Sequence, residues 1–225
     1  MTTDTPALRV LRYGSRALLV EVADLDQVAR LHTALRHRPP AGVHELVPAA
    51  RTVLLRYDPG VTDHRRLTEA LRALDLRAAP TAGAEAVEIP VRYDGEDLPE
   101  VARLCGLTVP QVVARHSAAT YRVAFCGFAP GFAYLTGIDP VLRLPRRAVP
   151  RTRVPAGAVA VADEFTGVYP RPSPGGWHLL GTTGLTLWAP DADPPALLAP
   201  GTVVRFRPVA AVTTATTVTT QEDEL

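Results

Sequence analysis

Residues 128–135 read FAPGFAYL, the densest part of a stretch from Tyr121 to Trp188 that is rich in proline, glycine and aromatic residues. Three similar segments follow it: PRTRVPAG (150–157), TGVYP (166–170) and SPGGW (173–177). Proline fixes the backbone angle φ, and glycine permits positive φ or a close approach of another segment, so such residues set the geometry of loops. Because arginine and aromatic side chains are interspersed with these turns, we predict a functional site built on loops.

The regions around these loops carry the pattern of a small β-barrel or sandwich. Short β-like runs separated by Pro/Gly turns occur at 121–126, 158–162, 177–180, 184–188 and 202–207. A strand at 86–93 and helical segments near 98–105 and 110–117 are expected before them. We therefore predict a mainly-β domain over residues 85–210.

A smaller α+β domain is predicted over residues 1–80. Strands are expected at 8–13, 16–22, 43–48 and 52–57. A helix capped by Asp24 or Asp26 and a second helix capped by Asp63 follow the two strand pairs. Segment 78–84, made of small residues, is expected to link the domains, and the Thr-rich end at 211–225 is expected to be disordered.

Composition narrows the class of function. All 24 Lys+Arg positions are arginine, which excludes a Walker A lysine, a pyridoxal phosphate Schiff base and a biotinyl-lysine on this chain. Arginine, backbone N–H groups or a partner must then hold any phosphate or carboxylate. A net charge of +1 gives no indication of nucleic-acid or membrane binding. We expect a soluble cytoplasmic protein, because no signal or membrane span is visible and Cys105 and Cys126 form no CxxC pair.

His116 has two possible roles. It shares a predicted helix face with Val112 and Val113, which is typical of a structural histidine. Alternatively, it is a proton donor or acceptor near neutral pH. The histidines show no HxH or HExxH spacing, which disfavours a metal site.

The arginines at 146, 147, 151 and 153 lie between Pro145, Pro150 and Pro155. They form either a solvated charged loop or an anion-binding segment that the prolines hold rigid. In an extended segment, Arg151 and Arg153 would face the same side.

Two glycine turns are candidates for contact with a ligand. Pro130-Gly131 fits a type II turn that would expose Phe128 or Phe132. Gly175-Gly176 would let backbone N–H groups approach a ligand beside Trp177. Both are equally explained by ordinary turns and core aromatic residues. The residues by themselves indicate a pocket lined by arginine and aromatic side chains, and they indicate no reaction.

The motifs, taken in order, resemble a known family. His116, YRV (121–123), GFAPGFAYL (127–135), PRR (145–147), PRTRVPAG (150–157), TGVYP (166–170) and SPGGW (173–177) match the family of the 5-oxoprolinase B subunit, also called the allophanate hydrolase subunit 1 or sporulation kinase inhibitor family. The resemblance implies a small α+β domain followed by a mainly-β, cyclophilin-like barrel of the carboxyltransferase type.

The resemblance also implies an activity. Members pair with a C subunit, which is similar to allophanate hydrolase subunit 2, and, with a third or A subunit, hydrolyse 5-oxoproline to glutamate at the expense of ATP. The implied mechanism is phosphorylation of the lactam oxygen followed by ring opening, with ATP, alone or together with Mg²⁺, bound wholly or partly by the partner. Two alternatives within the family are a module that inhibits a sensor histidine kinase and a component of an allophanate or urea-pathway hydrolase.

Carried onto this chain, the resemblance predicts His116, Arg151 and Arg153 as catalytic residues. The predicted substrate- or nucleotide-binding residues are Phe128, Pro130, Gly131, Phe132, Arg146, Arg147, Pro155, Gly157, Thr166, Tyr169, Gly175, Gly176 and Trp177. No metal ligands are predicted.

The chain departs from the family pattern at three places. Ala133 stands where proline is common, Asp163-Glu164-Phe165 where Gly-Gly-Gln is usual, and Gly181-Thr182-Thr183-Gly184 where Gly-Arg-Thr-Pro is usual. An amide at 165 and a guanidinium at 182 are thereby lost. We expect a more apolar pocket wall, and with it a different lactam or amide as a candidate substrate.

Overall fold

The structure is a computed structural model that describes residues 8–76 and 86–210. Its first part is a four-stranded antiparallel sheet in the order β1-β2-β4-β3, with two helices packed on it. The elements are β1 (Arg9–Arg12), β2 (Ala17–Glu21), α1 (Leu25–His37), β3 (Val43–Pro48), β4 (Thr52–Tyr57) and α2 (His64–Arg72).

Local capping explains where both helices begin. The Asp24 side chain accepts a hydrogen bond from the Gln27 amide, so Asp24 rather than Asp26 is the cap of α1. Asp63 caps α2 in the same way through the Arg66 amide. The apolar stripes Val28, Leu31 and Leu35 of α1 and Leu67 and Leu71 of α2 are buried against the sheet.

The second part is a seven-stranded mixed sheet in the order β12-β9-β10-β7-β6-β13-β5. Two helices and a separate two-stranded sheet, β11-β8, accompany it. The elements are β5 (Val87–Val91), α3 (Leu98–Leu104), α4 (Val109–Ala118), β6 (Tyr121–Cys126), β7 (Ala133–Thr136), β8 (Arg151–Val154), β9 (Ala158–Ala162), β10 (Phe165–Val168), β11 (Ser173–Gly175), β12 (His178–Thr182) and β13 (Val203–Pro208).

The sheet curls until its two edge strands, β5 and β12, nearly meet. The backbones of Arg92 and Thr182 exchange hydrogen bonds of 2.9 and 2.8 Å, which makes a nearly closed barrel. Glycine is required beside this contact, because a Cβ on Gly181 would lie 2.3 Å from the Arg92 carbonyl oxygen.

Strand β9 is buried on both faces. Val159 and Val161 point into the barrel core, whereas Ala158, Ala160 and Ala162 belong to a second apolar cluster on the outside. A strand covered on both sides needs apolar residues throughout, and AVAVA meets that need. The barrel therefore carries an additional layer of side chains on its outer face.

Most elements begin and end within a few residues of the predicted positions, but two expectations were wrong. The run 184–188 forms no strand, and only Trp188 makes an isolated bridge, to Ala196. Four strands, β7, β8, β10 and β11, lie in regions that were predicted as loops. The predicted linker 78–84 and the end 211–225 lie outside the described residues. No helix among the described residues is long and apolar enough to cross a membrane.

Candidate functional site

The outer cluster forms because small residues leave room for rings on the outer face of β9 and β10. Phe132, Tyr169 and Trp177 are buried there beside Ala158, Ala160 and Ala162. A Cβ on Gly167 would lie 3.2 Å from the rings of both Phe132 and Trp177 and 2.9 Å from the Ala133 carbonyl oxygen. The aromatic residues of the predicted site are thus brought together, outside the barrel rather than within it.

Phe132 is the centre of the aromatic cluster. Its ring centroid lies 5.1 Å from that of Tyr134, 5.2 Å from that of Tyr169 and 5.5 Å from that of Trp177, all edge to face. This arrangement is favoured by the ring quadrupoles. Phe128 adds a fourth ring at 5.4 Å and is 58% exposed. The cluster therefore continues from a buried core to an exposed aromatic side chain.

The loop before β7 contains the predicted turn. The Phe132 amide donates a hydrogen bond to the Ala129 carbonyl at 3.0 Å, and Gly131 has a φ of 81°. This confirms a type II turn with proline and glycine at its central positions. Of the two phenylalanines, the turn exposes Phe128, which itself has a φ of 68°. Such a φ is strained for a non-glycine residue and is held here by the surrounding loop.

Two tyrosine hydroxyls border the cluster. Burial raises the pKa of both Tyr134 and Tyr169, and the nearby Arg146 charge opposes this shift in each case. Both phenols therefore stay neutral at physiological pH and can donate hydrogen bonds. Arg146 itself is exposed, with its Nε 3.9 Å from an Asp163 carboxylate oxygen.

Asp97 lies at the centre of the charged part of the site. Its Oδ1 accepts hydrogen bonds from Arg147 Nη1 at 2.5 Å and Arg151 Nη2 at 2.7 Å, and its Oδ2 accepts from the Leu179 amide at 2.7 Å. Glu96 lies 2.6 Å from Arg151 Nε, and Glu100 lies 3.6 Å from Arg147 Nη1. Both guanidinium groups are thus engaged by carboxylates of the segment that precedes and begins α3.

Asp97 remains ionised although its side chain is only 4% exposed. Burial by itself would raise the pKa of Asp97, but the hydrogen bonds from Arg151 and the Leu179 amide and the charges of both arginines hold it below its ordinary value. The same contacts outweigh the effect of burial on Arg151, whose pKa is raised. Asp97 and Arg151 are therefore both charged at neutral pH.

Arg151 and Arg153 do not face the same side, contrary to the expectation for a regular strand. Arg151 pairs with Gly175, and Val154 pairs with Ser173, so β8 has one residue more than β11 between these pairs. This bulge turns Arg151 to the buried side with Val154 and leaves Arg153 exposed. Only Arg151 of the two lies in the Asp97 cluster.

His116 lies inside the barrel, completely buried and apart from the aromatic cluster. The Thr166 hydroxyl donates to the Ala160 carbonyl, so it accepts from His116 Nε2 at 3.0 Å. The other ring nitrogen, Nδ1, then accepts from the Tyr93 hydroxyl at 2.8 Å. Burial lowers the pKa of His116 to about 3, so its ring is neutral. Thr166, a predicted binding residue, is thus a partner of this histidine, and a catalytic role for His116 stays a prediction.

The remaining predicted residues support the loops around the cluster. The Gly176 carbonyl accepts from the Arg147 amide at 2.8 Å, and the Gly157 amide donates to the Tyr169 carbonyl at 2.7 Å. Gly175 lies against Tyr169, where a Cβ would be 2.3 Å from the phenol oxygen. Pro130 and Pro155 are exposed.

Comparison with known proteins identifies the family. Residues 8–198 match the family described as "Carboxyltransferase domain, subdomain C and D". This chain belongs to that family.

Two relatives of this carboxyltransferase-domain chain carry the same name, the B subunit of 5-oxoprolinase. The chain is 52% identical over 125 residues to the 5-oxoprolinase B subunit of Escherichia coli O157:H7, covering 54% of this chain and 57% of that protein. It is 37% identical over 188 residues to the 5-oxoprolinase B subunit of Bacillus subtilis (strain 168), covering 76% of this chain and 78% of that protein. Both findings support the resemblance recognised in the motifs.

A solved structure shares the fold. The crystal structure of TTHA0988 has a TM-score of 0.75 and 44% identity, and the match covers 87% of this chain. It covers only 41% of the TTHA0988 chain. The carboxyltransferase-domain chain therefore corresponds to less than half of that protein and to just over half of the E. coli relative.

Two departures from the family pattern have visible consequences. Phe165 packs edge to face against Phe125 at 5.7 Å and Tyr134 at 5.5 Å, so this side of the cluster is apolar, as expected. Thr182 lies at the barrel closure, where its hydroxyl donates to Asp94 at 2.9 Å and accepts from Arg92 at 3.1 Å. Arg92 also pairs with Asp94. In this chain, the guanidinium at the closure comes from Arg92 on the opposite edge.

Sequence reasoning missed Asp97, its neighbour Glu96, and His178. The signal for the first two was present, because RYDGED (92–97) places three acidic residues around a glycine directly after a strand. The arginines at 146–153 would need carboxylate partners of this kind if their side chains were buried. His178 gave no signal, since its role depends on the Pro145 carbonyl, which lies 3.0 Å from its Nε2 and far away in sequence.

Proposed function

We propose that this chain is the B subunit of an ATP-dependent amidohydrolase complex that opens 5-oxoproline, or a related lactam or amide, to the corresponding amino acid. The observation that carries the proposal is the likeness to the 5-oxoprolinase B subunit of Bacillus subtilis, at 37% identity over 78% of that protein. The proposed partners are the C and A subunits of such a complex, and the chain is expected to be inactive without them.

The outer cluster supports a role within a complex. Phe128 is an exposed aromatic residue continuous with a buried cluster, and the exposed Arg146 is close enough to Tyr134 and Tyr169 for its charge to affect the pKa of both. Aromatic and arginine side chains are the residues most enriched at protein interfaces. We propose that this face meets the partner and that the active site is completed there.

The residues of this chain do not fit ATP by themselves. Arg147 and Arg151 are neutralised by Asp97, Glu96 and Glu100, and the chain has no lysine. Among the residues described, no group of three or more His, Cys, Asp or Glu side chains is placed to hold a metal ion. We therefore place the nucleotide, and any Mg²⁺, mainly on the partner, with no reaction step assigned to it here.

The arginines then divide into two roles. Arg147 and Arg151 fix the loops through Asp97, whereas Arg146 and Arg153 can reach an anion presented by the partner, since a guanidinium binds phosphate or carboxylate oxygens in pairs. The two neutral phenols, Tyr134 and Tyr169, can donate hydrogen bonds to a carbonyl oxygen as it gains negative charge.

Reconstitution tests the proposal. The chain is combined with the C and A subunits, ATP, Mg²⁺ and 5-oxoproline, and glutamate release is measured. Turnover that needs all components is expected. Arg153→Ala should lower kcat/KM by about 10²-fold, as for loss of one transition-state donor, whereas Arg12→Ala on the exposed edge of the first sheet should leave it unchanged.

If the complex assembles but releases no glutamate, 5-oxoproline is not its substrate. If the chain instead binds and inhibits a sensor histidine kinase, with undiminished binding in Arg153→Ala, the regulatory alternative replaces the enzymatic one.

A further inference from the structure

The first sheet has one face covered by its helices and one open face. Side chains alternate along a strand, so Leu18, Val53 and Leu55 point toward α1 and α2, and their neighbours in sequence point the other way. The barrel lies beside α1 and the β3 edge, where α1 and β6 line a common cavity. Among the described residues, no apolar side chain of the open face belongs to one of the apolar clusters.

An apolar row crosses the open face on all four strands. Leu19 of β2 pairs with Leu11 of β1 on one side and with Leu54 of β4 on the other, and all three are partly exposed. Leu54 in turn pairs with Val47 of β3, which is 38% exposed. Residues paired in this way stand side by side on one face of the sheet. Single exposed apolar residues are ordinary on a protein surface, whereas a contiguous apolar patch marks an interaction site.

Ion pairs border the apolar row on both sides. Arg9 Nη1 lies 3.0 Å from a Glu21 carboxylate oxygen, and Arg56 Nη1 lies 2.8 Å from a Glu45 carboxylate oxygen. Each pair joins neighbouring strands, since Arg9 is opposite Glu21 and Arg56 is opposite Glu45. The charges on the open face are therefore paired within it, and the face has no net charge.

We infer that the open face is a dimerisation surface, on which a second copy of this chain packs its own open face. Two sheets that pack face to face bury their apolar side chains against each other, and a two-fold axis brings the same patch together twice. The charges favour this occupant, because a face whose ion pairs are closed internally neither repels an identical face nor requires a partner of opposite charge.

The register of the strands makes the open face compatible with its own copy. If the two-fold axis runs along the apolar row, Glu21 of one copy faces Ala17 of the other, and Arg56 faces Thr52. If the axis runs along the strands, Glu21 faces Thr52, and Arg56 faces Ala17. In both arrangements these charged side chains meet uncharged ones, so no like charges are brought together.

The size of the face sets the strength of the dimer. Four strands about 4.8 Å apart and about five residues long, at about 3.4 Å per residue, span an area on the order of 300 Å². Stable interfaces bury about 800 Å² on each partner. We therefore expect a reversible dimer that dissociates on dilution. The inference does not depend on the proposed enzymatic function, and reconstituted turnover neither supports nor contradicts it.

Sedimentation velocity of the full chain, over a wide range of concentrations, tests the inference. The sedimentation coefficient should rise from the monomer value to the dimer value as the concentration increases. The rise should persist at high salt, because the contact is apolar and the ion pairs lie within each copy. A chain that stays monomeric at every concentration overturns the inference.

Variants locate the contact. Leu54→Glu places a charge in the middle of the apolar row and should weaken dimerisation at least about tenfold, because like charges then face each other across the two-fold axis. Val149→Glu is the matched control: Val149 is 76% exposed but lies on the barrel, so dimerisation should be unchanged. A dimer that Leu54→Glu leaves intact overturns the inference.

A mixture of two variants separates a lost contact from a lost fold. Leu54→Glu and Leu54→Lys should each be monomeric, and their mixture should dimerise again, which requires that both are folded and that both use the same face. A mixture of the two folded variants that stays monomeric overturns the pairing of like faces. If the natural chain is monomeric by itself and Leu54→Glu prevents assembly with the C subunit, the open face is the site of that partner, and the dimer is overturned.

Discussion

Asp97 joins three segments that are far apart in sequence. It precedes α3, accepts from Arg147 on the loop before β8 and from Arg151 at the start of β8, and accepts from the backbone of Leu179 on β12. A single buried carboxylate thus positions the Pro/Gly-rich segment that the sequence marks as the site. The arginines of that segment read as anion-binding residues in the sequence because their carboxylate partner lies about 50 residues earlier.

Replacing Asp97 should therefore destabilise the fold strongly. Asp97→Asn keeps the shape but leaves Arg147 and Arg151 without their shared carboxylate, and we expect a loss of about 3 kcal/mol in the free energy of unfolding. Asp163→Asn is the matched control, since Asp163 is exposed and 3.9 Å from Arg146, and should change stability by less than about 0.5 kcal/mol. Urea unfolding measures both. Equal effects would mean that Asp97 behaves as a surface charge.

His116 makes stability depend on pH. In the folded state its pKa is lowered to about 3 by burial, whereas in the unfolded chain it is about 6.5. As the pH is lowered, the unfolded state therefore binds a proton before the folded state does. The contribution of His116 to the free energy of unfolding is complete above pH 6.5 and falls by about 1.4 kcal/mol per pH unit between pH 6.5 and pH 3.

The variant His116→Gln removes this titration while leaving all others in place. We expect it to be less stable than the natural chain at pH 7.5 and to show a weaker loss of stability from pH 6.5 to 4.5, measured by urea unfolding at each pH. Parallel curves for the two proteins would show that His116 is not buried in neutral form.

At the scale of secondary structure, elements that depend on local signals were predicted well, and elements that depend on long-range strand pairing were predicted poorly. Helices α1 and α2 begin at their predicted caps, Asp24 and Asp63, because a cap needs only residues three positions away. Strands β8 and β11 were missed because they are short and pair only with each other, and because β11 contains proline and glycine. The bulge that separates Arg151 from Arg153 depends on that pairing, so no sequence period could reveal it.

The packing of β10 against the aromatic cluster depends on Gly167, on the outer face of that strand. Gly167→Ala would place a methyl group against the rings of Phe132 and Trp177 and close to the Ala133 carbonyl. We expect a loss of about 1–3 kcal/mol from overpacking, together with a change in tryptophan fluorescence. Gly184→Ala is the control, because its Cβ would meet no atom within 4 Å. Equal stabilities of the two variants would show that the aromatic rings can move to accept the methyl group without loss of stability.

At the scale of the whole molecule, the described residues form three apolar clusters that share no residue: the core of the first sheet, the core of the barrel, and the cluster on the outer face of the barrel. Leu18, Leu31 and Leu55 belong to the core of the first sheet, whereas Val123, Leu135 and Phe206 belong to the barrel. The predicted boundary, the segment of small residues at 78–84, lies outside the described residues and stays a prediction. The interior position of His116 did not follow from the sequence, because it depends on barrel closure by strands up to 90 residues away.

Separate cores predict that the barrel folds without the first sheet. A protein of residues 86–210 should give the near-UV circular dichroism of packed aromatic side chains, since Phe132, Tyr169 and Trp177 and all their ring partners lie within it. It should also unfold cooperatively in urea and keep the pH dependence assigned to His116, whose partners Tyr93 and Thr166 are retained. The full chain is the reference for each measurement. A fragment that lacks near-UV signal would show instead that the first sheet is needed to close the barrel, and that the two cores form one folding unit.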